Sequence, residues 1–312
     1  QRQMCIRDSV YAEIDPCIEF VQRDKDGNIV ENGYDNKDVI ENLKAAGFLH
    51  LPMKPGYDIS KECRWVSVLN LKGKTKEEIF KEFSYQTRQD IRTYEKYCVK
   101  TRVLNEDQLD VLDEMEKETS ERQDFEAMSL DFYKDLYHFY GKSHIETVLS
   151  YLDLDAYAIK MQSEFDKTSK DIEKTKAFLE QNPGNVKKEK RLKTDKEYYN
   201  SLQKKLSHIE ELKQEYGKEI PLACCLFVKY GHQIVYLVGS SNYEHRVFRG
   251  PYAIQWKMIQ EAIDEGYDLY NFYGISGYFN KGEEGFGVFD YKRGYNAVVR
   301  EYIGTVSYTH LT

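Results

Sequence analysis

Two long stretches with heptad spacing, separated by a sharp reversal, constrain the fold of this 312-residue chain more than any other feature. From Met161 the sequence is polar and helical, and one side of the pattern returns alternately every four and three residues. Asn182-Pro183-Gly184 marks a chain reversal, after which the same spacing resumes. The seam consists of Met161, Phe165, Thr168, Ile172, Thr175, Leu179, Leu192, Asp195, Tyr199, Leu202, Leu206, Ile209, Lys213 and Tyr216. It predicts an antiparallel coiled-coil arm over residues 161–217, with helices roughly 30 Å long. Because the seam contains Thr, Asp and Lys, we expect this coiled coil to be only marginally stable.

Globular patterns flank the arm on both sides. Before it, strands are predicted at residues 65–71, 99–104 and 157–160, and helices at 87–97, 107–122 and 130–140. After it, strands are predicted at 222–228, 234–238, 268–272 and 297–303, and helices at 251–265 and 286–291. Strand–helix–strand units around an inserted hairpin predict an α+β (α/β) fold with one excursion.

Composition narrows the functional classes. The net charge of −8 argues against a protein that coats nucleic acid generally, while one local basic patch for RNA stays open. The six cysteines form no C-x-x-C pair, which favours reduced, packed thiols in a cytoplasmic protein. No apolar run approaches the ~20 residues of a membrane-spanning helix, and no signal peptide is visible. The histidines lack ligand spacing, so neither a metal site nor a cofactor is predicted.

The two ends differ from the rest of the sequence. Residues 1–9 and 306–312 resemble translated sequencing-adapter scars, and we expect both to be foreign tails. Ordinary frayed termini are the alternative. On the first interpretation, residues 10–145 form a first domain that lacks its true N-terminus, and residues 146–305 form a second domain that carries the arm.

The segment after the arm carries the most informative motifs. They are YNFYGISG at 270–277, GFG at 285–287, FDYKRGYN at 289–296 and EYIG at 301–304, preceded by GSS at 239–241, RGPY at 249–252, QW at 255–256 and TRQDIR at 87–92. In this order they resemble the FemABX family, whose FemA and FemB branch also carries an inserted arm. On this resemblance the chain is identified as an N-terminally truncated, FemA/FemB-like aminoacyltransferase that forms peptidoglycan bridges.

The resemblance implies tandem acetyltransferase-like (GNAT) domains, residues 10–145 and 146–305, with the arm 161–217 inserted in the second. It implies a non-ribosomal peptidyltransferase that moves an amino acid, with glycine expected, from aminoacyl-tRNA to an amine of a peptidoglycan precursor. The precursor is lipid II or UDP-MurNAc-pentapeptide, and the product is an interpeptide bridge. Peripheral association with the membrane through lipid II and a homo- or heterodimer are the further partners implied.

The expected chemistry is consistent with the residues present. An aminoacyl ester is already activated, so the enzyme has only to align an amine, accept its proton and stabilise an oxyanion. No G-x-S-x-G nucleophile motif occurs, in agreement with direct attack. Lys292 matches the family's functional lysine and is assigned as catalytic, as a fixed cation near the tRNA terminus or the oxyanion. A solvated surface lysine is the alternative.

Seven residues are assigned to substrate binding: Tyr236, Arg246, Arg249, Tyr273, Arg88, Arg92 and Lys96. The last three recur at i, i+4 and i+8 and share one helix face that can meet phosphates, although such a face is also typical of plain solvation. Met128 stands where some family members have an arginine that contacts precursor phosphate. Basic residues 187–191 beside the arm's tip offer salt-dependent phosphate affinity, with a protein-binding or merely solvated hairpin as alternatives.

Two other functions stay open at this point. An acyl-CoA-dependent GNAT acetyltransferase requires the loop [RQ]-x-x-G-x-[GA], and residues 285–287 lack its basic or glutamine lead. A non-catalytic coiled-coil adaptor would leave the glycine-rich motif without a role.

Overall fold

The computed structural model of the chain describes residues 11–58, 60–123 and 125–309, with residue 309 described for its backbone alone. The strands in this part are β1 (Tyr11–Ile14), β2 (Glu19–Gln22), β3 (Leu49–His50), β4 (Trp65–Asn70), β5 (Val99–Leu104), β6 (Ile145–Asp153), β7 (Glu219–Tyr230), β8 (Gln233–Ser241), β9 (Leu269–Ile275), β10 (Val298–Tyr302) and β11 (Val306–Thr309). The helices are α1 (Lys37–Ala45), α2 (Lys76–Glu82), α3 (Tyr85–Lys96), α4 (Asp110–Gln123), α5 (Leu130–Tyr140), α6 (Leu154–Gln181), α7 (Val186–Tyr216), α8 (Gly250–Asp264) and α9 (Phe286–Arg293). Short 3₁₀ turns lie at Glu106–Gln108 and Arg246–Phe248.

One large mixed sheet organises the molecule. Its strand order is β2-β10-β4-β9-β8-β7-β6-β5, and a smaller sheet has the order β1-β11-β3. The predicted α+β class is therefore confirmed. Strand β4, from before the arm, pairs with β9 and β10, from after it, so one sheet joins segments that the sequence analysis assigned to two domains. The domain boundary itself stays a prediction.

Strands β8 and β9 form the parallel pair of this sheet and then separate. Their pairing covers Gln233 with Leu269 through Val235 with Asn271, although β8 continues to Ser241 and β9 to Ile275. Their carboxyl ends therefore diverge and open a notch in the sheet. Ligand sites in open sheets commonly lie at such carboxyl ends.

Side chains of β9 alternate between a closed face and an open face, as the period of two residues in a strand requires. Tyr270 and Phe272 are fully buried in a core that α3 and α8 cover. Leu269, Asn271 and Tyr273 point to the other face, where they line a cavity. The sheet thus separates an aromatic core from an open trough.

The two predicted antiparallel helices are present and longer than expected, at about 42 and 46 Å for α6 and α7. The rings of Phe165 and Tyr199 stack 4.4 Å apart across the seam. Near the base, however, Leu212 is buried in place of the predicted Lys213. The Lys213 ammonium instead lies 2.8 Å from the Asp155 carboxylate. An apolar side chain thus takes the covered position, and the charged one stays where water reaches it.

The predicted strand at 157–160 is wrong, because α6 already begins at Leu154. The Asp153 side chain caps this helix by accepting a hydrogen bond from the Ala156 N–H at 2.9 Å. Strand β6 therefore passes directly into the arm, and Tyr157 is buried against its base. The N-cap at Asp153 starts the helix before these four residues, so they are helical although their residue types favour a strand.

The ends of the described chain join the smaller sheet. Val306–Thr309 forms β11 and pairs antiparallel with β1 and β3. Residues 1–9 and 310–312 lie outside the described residues, so the foreign origin of both tails stays a prediction. In the part of the chain that the structure describes, no helix is both long and apolar enough to cross a bilayer.

Candidate functional site

Lys292 occupies the packed face of a short helix. Gly285, with a left-handed backbone (φ 71°), precedes α9, and Phe289 is buried against Trp65. Lys292 lies one turn after Phe289 on the same face and is only 6% exposed. Its Nζ donates a hydrogen bond to the Gly274 carbonyl oxygen at 2.6 Å. The helix thus carries an amine out of water to the end of β9.

The surroundings of this amine change its chemistry. Burial lowers the pKa of Lys292 from 10.5 to about 7, and the neighbouring Cys63 opposes the change only in part. Near neutral pH, the neutral amine and the ammonium are therefore both populated. Burial likewise raises the pKa of Cys63, which keeps its thiol protonated and makes it a poor nucleophile.

Tyr273 holds the turn beside Lys292 in a strained conformation. Its φ of 63° is rare for a non-glycine residue, and the Asn271 side chain supports it by accepting the Tyr273 N–H at 2.8 Å. The phenol donates to Glu62 Oε2 at 2.9 Å. At Gly274 a Cβ would overlap Cys63 Sγ, so the strand can approach the thiol only because the residue is glycine.

A cavity of about 540 Å³ opens on the trough side of the sheet, within the range of small-molecule sites. Glu62, Cys63 and Tyr273 form one part of its wall, and Asn271 and Arg300 another. Lys292 itself is not on the wall, but Cys63, which interacts electrostatically with it, is. So is Tyr273, which directly precedes Gly274, the hydrogen-bond partner of Lys292. Among the described residues, no cluster of His, Cys, Asp and Glu side chains is suited to a metal ion.

A second charged group lies at the start of α8. Arg249 has a left-handed backbone (φ 60°), and its Nε lies 2.8 Å from Asp90 Oδ1. Asp90 is only 5% exposed and also accepts a hydrogen bond from the Gln86 amide at 3.1 Å. Gly250 lies against Leu222 with no room for a Cβ, and this close contact fixes the position of the backbone next to Arg249. The buried carboxylate therefore holds a half-exposed guanidinium in place.

Tyrosine rings connect this group to the lysine helix. Tyr252 shares the Asp90 carboxylate, and its ring centroid lies 5.2 Å from that of Tyr291. Tyr291 directly precedes Lys292, and its hydroxyl lies 3.4 Å from that of Tyr295. Contacting tyrosine rings thus extend from the Arg249–Asp90 pair to the helix that carries Lys292.

The structure brings some predicted site residues together and separates others. Lys292 and Tyr273 lie together, whereas Arg249 is separate from them and is related to the lysine helix only through Tyr252, which packs on Tyr291. Tyr236 packs on the core side of β8, 5.6 Å from Phe227 between ring centroids, and not on the cavity wall. Arg246 is exposed beside Tyr243, close to Arg249 in sequence.

The basic stripe of α3 lies against the end of α2 and at the surface. Arg88 donates to the carbonyl oxygens of Lys81, at 2.8 Å, and of Phe83, which end α2. Arg92 is exposed over the Phe80 ring, with 5.7 Å from its Cζ to the centroid, and Lys96 is exposed. The inward side of the same helix carries Asp90, which the sequence reasoning missed, as it missed Glu62 and Cys63.

Comparisons with known proteins give the chain's sequence relatives and a solved structure of similar fold. A sequence model described as the FemAB family matches residues 3–310. "Aminoacyltransferase FemA" of Staphylococcus epidermidis is 32% identical over 296 residues, which are 95% of this chain and 70% of that protein. The protein of the same name from Staphylococcus aureus (strain MW2) is 32% identical over 295 residues, with the same shares. A crystal structure of FemX superposes with a TM-score of 0.76 at 22% identity and covers 99% of this chain and 74% of that one, a likeness of fold.

Proposed function

The chain belongs to the FemAB family, and from that premise we propose that it moves an amino acid, with glycine expected, from aminoacyl-tRNA to an amine of a peptidoglycan precursor. The transfer would extend an interpeptide bridge. The acceptor is lipid II or UDP-MurNAc-pentapeptide, and the reaction takes place in the cytoplasm, at the membrane surface where the acceptor is lipid-linked. The similar curated proteins are named as aminoacyltransferases, which supports this activity over an acyl-CoA-dependent one.

The observation that carries the proposal is the buried amine of Lys292 beside the cavity. Direct attack on an aminoacyl ester creates an ammonium on the acceptor nitrogen, and this proton has to leave for the amide to form. A general base works best when its pKa lies near the working pH. Lys292, with a pKa of about 7, meets that requirement, whereas an ordinary exposed lysine would stay protonated.

The proposed sequence of steps balances in atoms and protons. The acceptor nitrogen forms a bond to the ester carbonyl carbon, and the neutral Lys292 amine takes the proton from that nitrogen. The resulting ammonium stabilises the oxyanion by its charge. The bond from carbon to the ribose oxygen then breaks, and the leaving oxygen receives the proton back from Lys292. The fixed cation expected from the sequence thus becomes one half of a proton-exchange cycle.

Other residues have binding roles in this proposal. Tyr273 and Glu62 on the cavity wall contact the acceptor near its amine, because their hydrogen-bonded oxygens lie beside the Lys292 neighbourhood. Arg249, held by Asp90, binds a phosphate of one substrate. Arg88, whose guanidinium is already bonded to two carbonyl oxygens, contributes to the fold more than to substrate binding.

The test is transfer of a labelled amino acid from a panel of glycyl-, seryl- and alanyl-tRNA to lipid II and to UDP-MurNAc-pentapeptide. Lys292→Ala should lose most turnover while keeping its circular dichroism spectrum. Lys281→Ala, an exposed lysine in the preceding loop, is the matched control and should behave as wild type. Absence of transfer from every tRNA, or full turnover by Lys292→Ala, would overturn the proposal.

A further inference from the structure

An exposed aromatic ring with two arginines lies near the root of the arm. Tyr243, in the turn between β8 and α8, is 56% exposed. The Cζ atom of Arg246 lies 4.0 Å from its ring centroid, and that of Arg122, at the end of α4, lies 5.1 Å away. We refer to Arg122, Tyr243 and Arg246 as the Arg–Tyr cluster.

The cluster is held in place by backbone contacts. Arg246 Nη1 donates to the Tyr243 carbonyl oxygen at 2.9 Å, and Arg122 Nη1 donates to that of Ser241 at 3.3 Å. Neither arginine forms a side-chain ion pair with any residue that the structure describes, in a chain whose net charge is −8. Glu244 is the exposed acidic residue within the same turn. Two guanidinium groups are thus fixed at the surface with their charge available.

The position of the cluster connects the arm to the candidate site. Tyr216, the last residue of α7, contacts the His245 ring at 5.3 Å between centroids. Phe248 packs at 5.7 Å against Tyr157 near the start of α6. The next residue is Arg249, which pairs with Asp90 beside the tyrosines that lead to Lys292. A ligand on the cluster would therefore lie beside the base of the arm and near Arg249.

We propose that the Arg–Tyr cluster binds single-stranded RNA, namely the unpaired 3′ end of the donor tRNA. The inference rests on the proposed function for its donor and adds the surface that receives it. Unpaired bases stack on aromatic rings and on guanidinium planes, and guanidinium groups also bind phosphate oxygens. A turn that presents both, in a chain that is acidic as a whole, offers a local site for a nucleic acid and not a general one.

The test measures binding without transfer. The fluorescence anisotropy of two labelled RNA hairpins, neither carrying an amino acid, is recorded with the full chain. The hairpins share one acceptor stem, but one ends in the unpaired 3′ residues and the other is blunt. Tyr243→Leu should weaken binding of the tailed hairpin about tenfold and leave the blunt one unchanged, because stacking is lost. Arg122→Gln should lower the slope of log K against log salt by about 0.7. Glu244→Gln should tighten binding.

Two further variants separate stacking from charge and from general damage. Arg246→Lys keeps the charge and should still bind the tailed hairpin several-fold more weakly, because an ammonium has no plane to stack on. Tyr11→Leu, at a tyrosine of similar exposure (54%) in the smaller sheet, should bind as wild type. Equal affinity of wild type and Tyr243→Leu for the tailed hairpin would overturn the inference. An acidic peptide that displaces the tailed hairpin and binds more tightly than the hairpin does would also overturn it.

Transfer assays on the same variants distinguish this proposal from the function it rests on. The inference predicts a raised KM for aminoacyl-tRNA in Tyr243→Leu, with kcat retained. If wild type transfers an amino acid and the variants bind and react as it does, the cluster is refuted while the function stands. If wild type binds the tailed hairpin through the cluster and transfers nothing, the function is refuted and the binding surface stands.

Discussion

Replacement of Lys292 by methionine should make the protein more stable while removing its activity. The unfolded chain keeps the lysine protonated up to about pH 10.5, whereas in the folded state burial lowers that pKa to about 7. The folded state therefore binds fewer protons between these two values. Folding with a lysine at this position carries a free-energy penalty that an apolar side chain of similar length avoids.

The magnitude follows from the two pKa values. At 1.36 kcal/mol per pH unit, the difference between 10.5 and about 7 corresponds to about 5 kcal/mol below pH 7 and to about 4 kcal/mol at pH 7 itself. Methionine leaves the Gly274 carbonyl oxygen without its donor, which costs about 1–3 kcal/mol. The net expectation is that Lys292→Met raises the free energy of unfolding at pH 7 by about 2 kcal/mol.

The sign of the pH dependence gives a sharper test than the magnitude. Because the lysine's pKa is lowered on folding, wild-type stability should rise with pH between about 7 and 10.5, and the penalty should be constant below pH 7. Lys292→Met should lack this rise, so its advantage over wild type should shrink as pH increases and reverse at about pH 9. Urea unfolding followed by circular dichroism at about pH 7 and pH 9.5 measures both effects.

Lys281→Met, an exposed lysine in the nearby glycine-rich loop, is the control and should change stability by no more than about 0.5 kcal/mol. Two outcomes would refute the reasoning. One is a Lys292→Met variant less stable than wild type at pH 7. The other is a stability difference between the two proteins that does not depend on pH.

Three further predictions concern the neighbours of the site and the arm. Gly274→Ala should lower turnover, because the added Cβ would overlap Cys63 Sγ, and Cys63→Ala in the same protein should restore part of it; equal turnover of the single and double variants would contradict this. Asp90→Asn should raise the KM for the substrate that Arg249 binds about tenfold, and Arg249→Ala should add no further loss to it, whereas multiplicative effects would show that the two act independently. Leu202→Ala, at a fully buried seam position, should destabilise the arm by about 3 kcal/mol. If the variant lost its helical circular dichroism signal at the same temperature as wild type, the packing of the seam would be contradicted.

The features that could be predicted from the sequence are those encoded by a repeated spacing or by a contiguous motif. The arm follows from a seam of spaced residues, and Lys292 follows from a short glycine-rich segment around it. The detail that failed was local: Lys213 kept the spacing of the seam, but Leu212 is buried, because position in a repeat does not decide which neighbour the base of the arm covers. The predicted strand at 157–160 failed because a single capping side chain, Asp153, starts the helix earlier.

The rest of the candidate site depends on contacts between distant segments. Cys63 and Glu62 lie in a loop without a motif, and only the pairing of β4 with β9 brings them to Gly274 and Tyr273. Asp90 is one charged residue among several on α3, and its importance follows from the side of the helix that faces α8. The lowered pKa of Lys292 also depends on contacts between distant segments. Burial lowers this pKa to about 7, and the residue type alone does not specify burial.

The most direct test of the account is the pH dependence of single-turnover transfer between about pH 6 and pH 8.5. Labelled glycyl-tRNA and lipid II would be mixed with wild type or with Lys292→Arg, whose guanidinium keeps the charge and cannot accept a proton in this range. We predict that the wild-type rate rises with an apparent pKa of about 7 and that Lys292→Arg is slow and lacks this rise. A wild-type rate that does not change through this range, or a Lys292→Arg profile that follows it, would contradict the account.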